Sequence, residues 1–272
     1  MAESSPHPTY DVMADVGNDR RQVDAWRRLY ESNASASSWL SIHRWPYDES
    51  VVDAVAADLR HKLELTPTDR VAEIGCGTGA MLSRLLYPGQ PGVGFDLCEA
   101  MVRRVGDFVD DPSCLRLGVA EADRQPLRSA SFDKVFAYSV FQCFPSRAYA
   151  QRVLAEAVRL CVPGGIVLIG DIFGAVEKQR QYLLRRFVPR WIVESLLWPA
   201  APIWHLNYVL RRPSDGVRRR PYSRGFFHRA LACKNCKIEF LWQEIPRRAV
   251  SALRYDVRIW KTGPARSSGV RG

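Results

Sequence analysis

The run Glu73-Ile74-Gly75-Cys76-Gly77-Thr78-Gly79 places an acidic side chain just ahead of three alternating glycines. A glycine-rich turn between a strand and a helix lets backbone approach a ligand without side-chain obstruction. In open α/β sheets ligands lie beyond the carboxyl ends of the strands, near the point where strand order reverses. Asp96 ends the next apolar run, about twenty positions on, where a carboxylate can accept both hydroxyl protons of a ribose. The chemistry indicated is capture of a ribose-bearing ligand. Gly-x-Gly-x-Gly is a weak signal on its own. A dinucleotide fingerprint has glycine three positions after its second, where this chain has the tolerated variant Ala80, so a nicotinamide-dependent reading stays open on the turn alone.

The elements that must position these residues follow from hydrophobic period and turn signals. Short apolar runs alternating with helical stretches predict βαβ units around a parallel sheet. Strands are expected at Arg70–Ile74, Gly92–Asp96, Leu115–Ala120, Lys134–Tyr138 and Gly165–Gly170, with helices at about Ala80–Leu86, Glu99–Phe108 and Ala148–Leu160. Pro163-Gly164-Gly165 forms a turn before the fifth strand. Lys237–Trp242 and Ala252–Trp260 read as an antiparallel pair that returns along the sheet. Upstream, Val23, Trp26, Leu29 and Tyr30 recur at helical spacing, and a second helix runs from an N-cap at Asp48 to about Leu63. The predicted organisation is an N-terminal tail and helical cover over residues 1–65 and a ligand-binding core over 66–172. An aromatic and basic insertion spans 173–228, closing strands span 229–262, and a disordered tail covers 263–272.

Three further motifs follow in order. Glu121-Ala122 comes after strand three, with Pro126-Leu127 and then Ser131-Phe132-Asp133 leading into strand four; Leu160-x-x-Pro163-Gly164-Gly165 precedes strand five. With this ordered set, residues 71 to about 171 resemble the class I S-adenosylmethionine-dependent methyltransferases. The dinucleotide fingerprint calls for neither the Pro-Gly-Gly nor the Ser-Phe-Asp feature. The resemblance implies an α/β, Rossmann-like, doubly wound and mainly parallel seven-stranded sheet, with an N-terminal helical segment and a helical lid inserted after strand five. It implies S-adenosyl-L-methionine as cofactor. Glu73 then resembles the acidic residue that supports the methionine amino group, while Gly75, Cys76 and Gly77, with Gly79 closing the turn, lie against the methionine moiety and ribose. Asp96 would grip the ribose hydroxyls, Leu97 and Met101 would pack on adenine, and Glu121 would sit near the adenine amino group. The Ala122 amide would meet a ring nitrogen, and Tyr138 and Ser139 would border the methyl-donor end. Two positions depart from the pattern: Glu121 stands where Asp is usual, and Cys98 where Ser often caps the following helix.

Methyl transfer from a sulfonium is an in-line displacement, so the protein must orient the acceptor and shed water. A hydroxyl acceptor also benefits from a base. Asp171, at the end of strand five, is the first candidate, with a cap or turn role as its alternative; His43 and His205 are secondary candidates. Gln142 is expected to line the pocket. The sequence after strand four, Ala137-Tyr138-Ser139-Val140-Phe141, lacks the Asn/Asp-Pro-Pro-aromatic tetrapeptide typical of enzymes that methylate planar amino groups. Gly170-Asp171-Ile172 and Arg254-Tyr255-Asp256-Val257 resemble phrases in bacterial methyltransferases that tailor surface polysaccharides, sugars and natural products. The reading favoured is a methyltransferase whose partner is a small-molecule acceptor, a hydroxyl of a sugar or secondary metabolite.

Composition bounds the alternatives. The chain has 272 residues, a formal charge of +10 and 47% apolar residues, enough for one α/β domain with an elaboration. Between Phe173 and Arg224 about eleven Lys/Arg face three Asp/Glu. The apolar centre of that stretch, Trp191 to Leu210, holds Glu194, Pro199, Pro202, His205 and Asn207, against a membrane-spanning helix. A helical lid over the substrate site is the first reading. A peripheral membrane contact is the second, and would suit a lipid, quinone or lipid-linked sugar acceptor. A non-catalytic binding module is the third; no nucleic-acid-binding motif accompanies the charge. Residues 1–8 lack the basic start and apolar core of a secretory signal, so a cytoplasmic location with reduced thiols is expected. Cys233-x-x-Cys236 has no second Cys/His pair and reads as a turn, not a metal site.

Overall fold

The computed structural model describes residues 12–34, 49–173, 220–232, 235–243 and 254–262. Residues 174–219 of the expected lid, residues 1–11 and 263–272, His43, His205 and Cys233 lie outside the described residues. The end of that expected stretch, Tyr222, Phe226 and Phe227, is buried in the core instead of forming a lid. Helices are α1 (Val12–Asn33), α2 (Glu49–Leu63), α3 (Ala80–Leu85), α4 (Glu99–Val102), α5 (Val105–Phe108), α6 (Arg147–Leu160) and α7 (Arg224–Leu231). Strands are β1 (Val71–Ile74), β2 (Gly92–Asp96), β3 (Leu115–Val119), β4 (Phe132–Tyr138), β5 (Cys161–Phe173), β6 (Cys236–Trp242) and β7 (Arg254–Lys261).

One seven-stranded sheet runs in the order β3-β2-β1-β4-β5-β7-β6. Its first five strands are parallel and β7 is antiparallel to both neighbours. The order reverses between β1 and β4, which opens a crevice at their carboxyl ends. The α/β class and the mainly parallel sheet expected from the apolar runs are therefore present.

Parallel strands buried on both faces need apolar side chains on both. In β4, Val135 and Ala137 face the layer of α6 and α7, whereas Phe136 and Tyr138 face α2 and α3. In α2, Val52, Val55, Leu59 and Leu63 recur at helical spacing and are fully buried. The opposite layer is aromatic: Phe141, Phe144, Tyr222 and Phe227 pack with ring centroids 4.8–5.9 Å apart around Phe141. The Ser-Phe-Asp motif has a structural reason at the far end of the sheet. There Asp133 receives the Arg70 backbone N–H and two guanidinium nitrogens, clamping the start of β1 to β4.

Some boundaries differ from expectation. The helix expected over Glu99–Phe108 is two four-residue helices. Strand β5 begins at Cys161 and carries Pro163-Gly164 within it, because its first residue already pairs with Phe132. Near its other end, Ile169 pairs with Val257 and Ile172 with Tyr255, so β5 holds one residue more than β7 across this interval. This is a β-bulge. Asp171 sits in it with φ +63°, a region non-glycine residues seldom occupy.

Ser146 caps α6 by accepting the Tyr149 N–H at 3.1 Å and donates to Asp19 of α1 at 2.8 Å. Ser146→Ala should lower the free energy of unfolding by about 1–2 kcal/mol, the usual cost of a lost cap. Urea titration checks this. An unchanged midpoint would remove Ser146 from the docking of α1.

Candidate cofactor and acceptor cleft

The crevice at the reversal point is walled by the β1 turn, the end of β2, the end of β4 and, as its cover, one face of α1. After β1 the chain turns sharply: the Gly75 and Cys76 amides both donate to the Phe95 carbonyl, at 2.8 and 3.2 Å. Gly75 has φ +79°, and a Cβ there would stand 2.7 Å from Val140 Cγ2. Both conformation and space therefore require glycine. Gly79, at φ +78°, opens α3 against Leu117 and is not among the residues that line the cleft.

Asp96 bridges the two turns. Its carboxylate accepts the Gly77 N–H and the Cys98 N–H, each at 2.9 Å. Burial raises its pKa, opposed by the backbone N–H groups of Cys98, Gly77 and Leu97. Glu73, 3% exposed on β1, also lines the cleft. Its Oε2 is buried without a hydrogen-bond partner among the described residues. Burial first, then the nearby Asp96 charge, raises the Glu73 carboxyl well above its ordinary range; one Leu82 backbone hydrogen bond opposes this. Such a group takes up a proton more readily than an ordinary carboxyl until a cation or donor reaches it. Burial likewise pushes the Cys76 thiol well up, followed by Asp96 and Glu73, so it stays an inert thiol.

Leu97, Met101 and Ala122 line the end of the cleft beyond Asp96. The loop carrying Ala122 is pinned by α6: Glu156 accepts the Gln125 N–H at 2.6 Å, and Gln125 Nε2 donates to the Glu121 carbonyl at 2.8 Å. The Glu121 side chain is exposed and faces a neighbouring charged groove with Arg20, Arg27 and Arg124, outside the cleft. The Ala122 and Asp123 backbone approaches the buried Tyr149 hydroxyl.

At the opposite end lie Tyr138 and Ser139. Ser139 has φ +60°; Gln142 Nε2 stitches this strained turn by donating to the Ser139 carbonyl at 2.7 Å and its Oγ at 3.1 Å. Gln142 thus braces the turn instead of lining the cleft, as expected of it from sequence. Asp171 is 1% exposed and does not line the cleft either. Its carboxylate pairs with Arg254 at 2.7 Å, and its backbone N–H donates to Asp256 at 2.8 Å. The geometry matches the turn role weighed for Asp171, since these partners hold the bulge. His43 and His205 lie outside the described residues.

Among the lining residues that escape a motif reading, Val23, Trp26 and Tyr30 come from α1. Their spacing marks a buried face, but nothing in the sequence says which surface it covers.

The glycine cradle, the partnerless buried carboxylate oxygen and the carboxylate beyond them fit a cationic, ribose-bearing ligand. Residues 72–169 match the family described as a methyltransferase domain. The chain is 27% identical over 184 residues to a phthiotriol/phenolphthiotriol dimycocerosates methyltransferase of Mycobacterium ulcerans, covering 61% of this chain and 66% of that protein. It is 33% identical over 115 residues to a 27-O-demethylrifamycin SV methyltransferase of Amycolatopsis mediterranei, covering 40% of each. In both cases the chain spans less than two thirds of the relative's length. Among solved structures, a SAM-dependent methyltransferase of Thermotoga maritima superposes with a TM-score of 0.53 at 16% identity, over 89% of this chain and all of that one. At that identity the likeness concerns the fold.

Proposed function

We propose, from the premise that residues 72–169 form a class I S-adenosylmethionine-dependent methyltransferase domain, that the protein methylates a hydroxyl of a small molecule, a sugar or a secondary metabolite. The observation that supports the cofactor assignment is the presence, on either side of the glycine turn, of Asp96 and of a buried Glu73 oxygen that has no partner among the described residues. The acceptor class draws support from the tailoring-enzyme phrases around Asp171 and Asp256, and from the relative named for rifamycin.

When bound, the cofactor supplies a methyl group on a cationic sulfur that leaves as a neutral thioether. The residues here do the rest. Asp96 would accept the two ribose hydroxyl protons, and Leu97, Met101 and Ala122 would enclose the adenine. Glu73 would face the methionine amino group, and the turn Gly75 to Gly77 would run beside the chain between them. Trp26 and Tyr30 on α1, which also line the cleft, would help exclude water from it. Tyr138 and Ser139 would border the acceptor. His43 and His205 are the remaining candidates for taking the acceptor's proton.

Purified protein incubated with methyl-labelled cofactor and a panel of sugars, phenols, quinones and RNA tests the reading. Label on a hydroxyl of a small molecule is the expected result. Label confined to RNA, or no uptake of cofactor, would refute it. A lipid or lipid-linked acceptor is a second reading, favoured by the dimycocerosate-named relative matching 61% of this chain. Flotation with anionic vesicles separates the two. No described helix is long and apolar enough to cross a membrane.

Glu73 adds a pH signature. Its carboxyl is protonated between the ordinary carboxyl range and its own raised pKa. A cationic cofactor favours the carboxylate, so binding should release a proton in that window. Affinity then rises with pH, by at most about tenfold per unit, and levels off above the raised pKa. Calorimetry in two buffers of different ionisation heat measures the proton. Glu73→Gln should abolish the release, and equal heats for the unaltered protein would dismiss the assignment.

A further inference from the structure

Five residues of the link between β4 and α6 line the cleft: Ser139, Val140, Cys143, Phe144 and Pro145. This wall touches both sides of the proposed cofactor site. Val140 abuts the glycine turn, since a Cβ on Gly75 would come within 2.7 Å of it. Phe144 packs on Tyr149 with ring centroids 5.3 Å apart, and the Tyr149 hydroxyl meets the backbone at Ala122 and Asp123. Little regular structure supports the wall. Its turn at Ser139 has φ +60°, and Phe141–Cys143 is a single 3-10 turn. Such turns have poorer hydrogen-bond geometry than an α-helix, so the wall depends on contacts from outside itself.

Arg220 supplies such a contact. Its side-chain Nε donates to the Pro145 carbonyl at 2.6 Å, and its backbone N–H donates to the Gln142 carbonyl at 2.9 Å. Two residues on, Tyr222 is buried with its ring centroid 5.7 Å from that of Phe141. The Tyr222 carbonyl accepts the Tyr255 hydroxyl of β7 at 2.7 Å. A strut therefore starts on the sheet at β7 and ends on the cleft wall. A hydrogen bond from a charged donor is stronger than a neutral one. Without the Nε contact the wall is held by weaker bonds and opens more often, and only the closed fraction binds ligand.

We propose that Arg220 is a positioning residue that holds the 139–145 wall ready for S-adenosylmethionine, so that chain beyond the matched domain sets cofactor affinity. The inference rests on the methyltransferase reading above. It goes beyond that reading by giving a part in cofactor binding to a residue that does not itself line the cleft.

Two variants of the full chain, matched in side-chain length, test it. The amide nitrogen of glutamine stands as many bonds from Cα as Nε of arginine, and methionine fills the same place without a donor. Arg220→Met should raise the Kd of S-adenosylhomocysteine about tenfold, as expected if the closed fraction falls to about one in ten. Arg220→Gln should stay within about threefold, because it keeps a neutral donor to Pro145. Calorimetric titration measures both. A Kd for Arg220→Met within about twofold of the unaltered chain, a closed fraction still above about one half, would overturn the proposal. Equal losses in the two variants would overturn it too.

Hydrogen exchange of peptides covering 139–145 reads the wall itself. The Cys143 and Phe144 amides donate to the Val140 and Phe141 carbonyls at 2.8 and 3.2 Å. In ligand-free Arg220→Met they should exchange faster, and saturating S-adenosylhomocysteine should return them to the rate of the unaltered protein. Exchange that stays fast in the bound form, or that spreads to peptides of β7 and α2, would mean that Arg220 acts through the fold at large, and the proposal would be lost. No uptake of S-adenosylhomocysteine by the unaltered protein would instead mark failure of the methyltransferase reading itself.

Discussion

Asp96→Ala should weaken binding of S-adenosylmethionine by at least about a hundredfold. A hydrogen bond to a charged group contributes roughly 1.5–3 kcal/mol, and the proposed ribose contact has two. The same substitution strands the Gly77 and Cys98 amides, each of which now has the carboxylate at 2.9 Å. The turn itself would then loosen. Asp96→Asn keeps the volume and one acceptor oxygen, so its loss should be nearer tenfold, as expected for exchanging a charged for a neutral partner. Calorimetric titration with thermal melts of the same samples separates binding from folding. An Asp96→Ala protein that melts normally and binds within threefold of the unaltered chain, a margin below about 0.7 kcal/mol, would defeat the assignment.

The second large effect is on stability. Lys62→Met removes the ammonium that sits 2.6 Å from the fully buried Asp256. Burial acts to lower the Lys62 pKa, yet Asp256 and Asp58 outweigh it and raise the pKa above 10.5, so the lysine is charged throughout the physiological range. Breaking a buried pair from one side costs about 3–5 kcal/mol, because the remaining charge has no compensation. The sign with pH follows. In the variant, Asp256 loses the partner that counters its burial, and its folded pKa rises further. A raised carboxyl stabilises the fold below its unfolded pKa and ceases to do so as pH climbs through the folded one. The deficit should therefore shrink toward acid pH. Urea unfolding at pH 5 and pH 8 measures it, and a deficit of the same size at both would exclude an uncompensated Asp256 as its cause.

The parallel sheet was legible because each strand is a short apolar run bounded by turn residues, as Val71–Ile74 is by Pro67 ahead of it and Gly75 after it. The glycine turn and Asp96 were legible for a similar reason, since a nearly fixed spacing of types carries them. The role of Asp171 was not. A bulge is defined by the register of two strands, and no spacing within Gly170-Asp171-Ile172 reports where Tyr255 and Val257 will pair. The Asp256 cluster was hidden by distance along the chain: Lys62 meets it from 194 residues away. The face of α1 shows a third kind of opacity. Val23, Trp26 and Tyr30 announce burial, but burial against the cleft and burial against a core read alike.

The extra residue in β5 also sets a parity rule for this corner of the molecule. Ile169 and Ile172 are three apart, yet both enter the aromatic layer, opposite Val257 and Tyr255. Without the bulge, alternation would send Ile172 to the α2 side, toward the charged cluster. Deleting one amino acid here would thus restore plain alternation and leave Ile172 opposite Tyr255 on its present face. An unbulged strand that kept every residue would instead move Ile172 and Phe173 each to the opposite face.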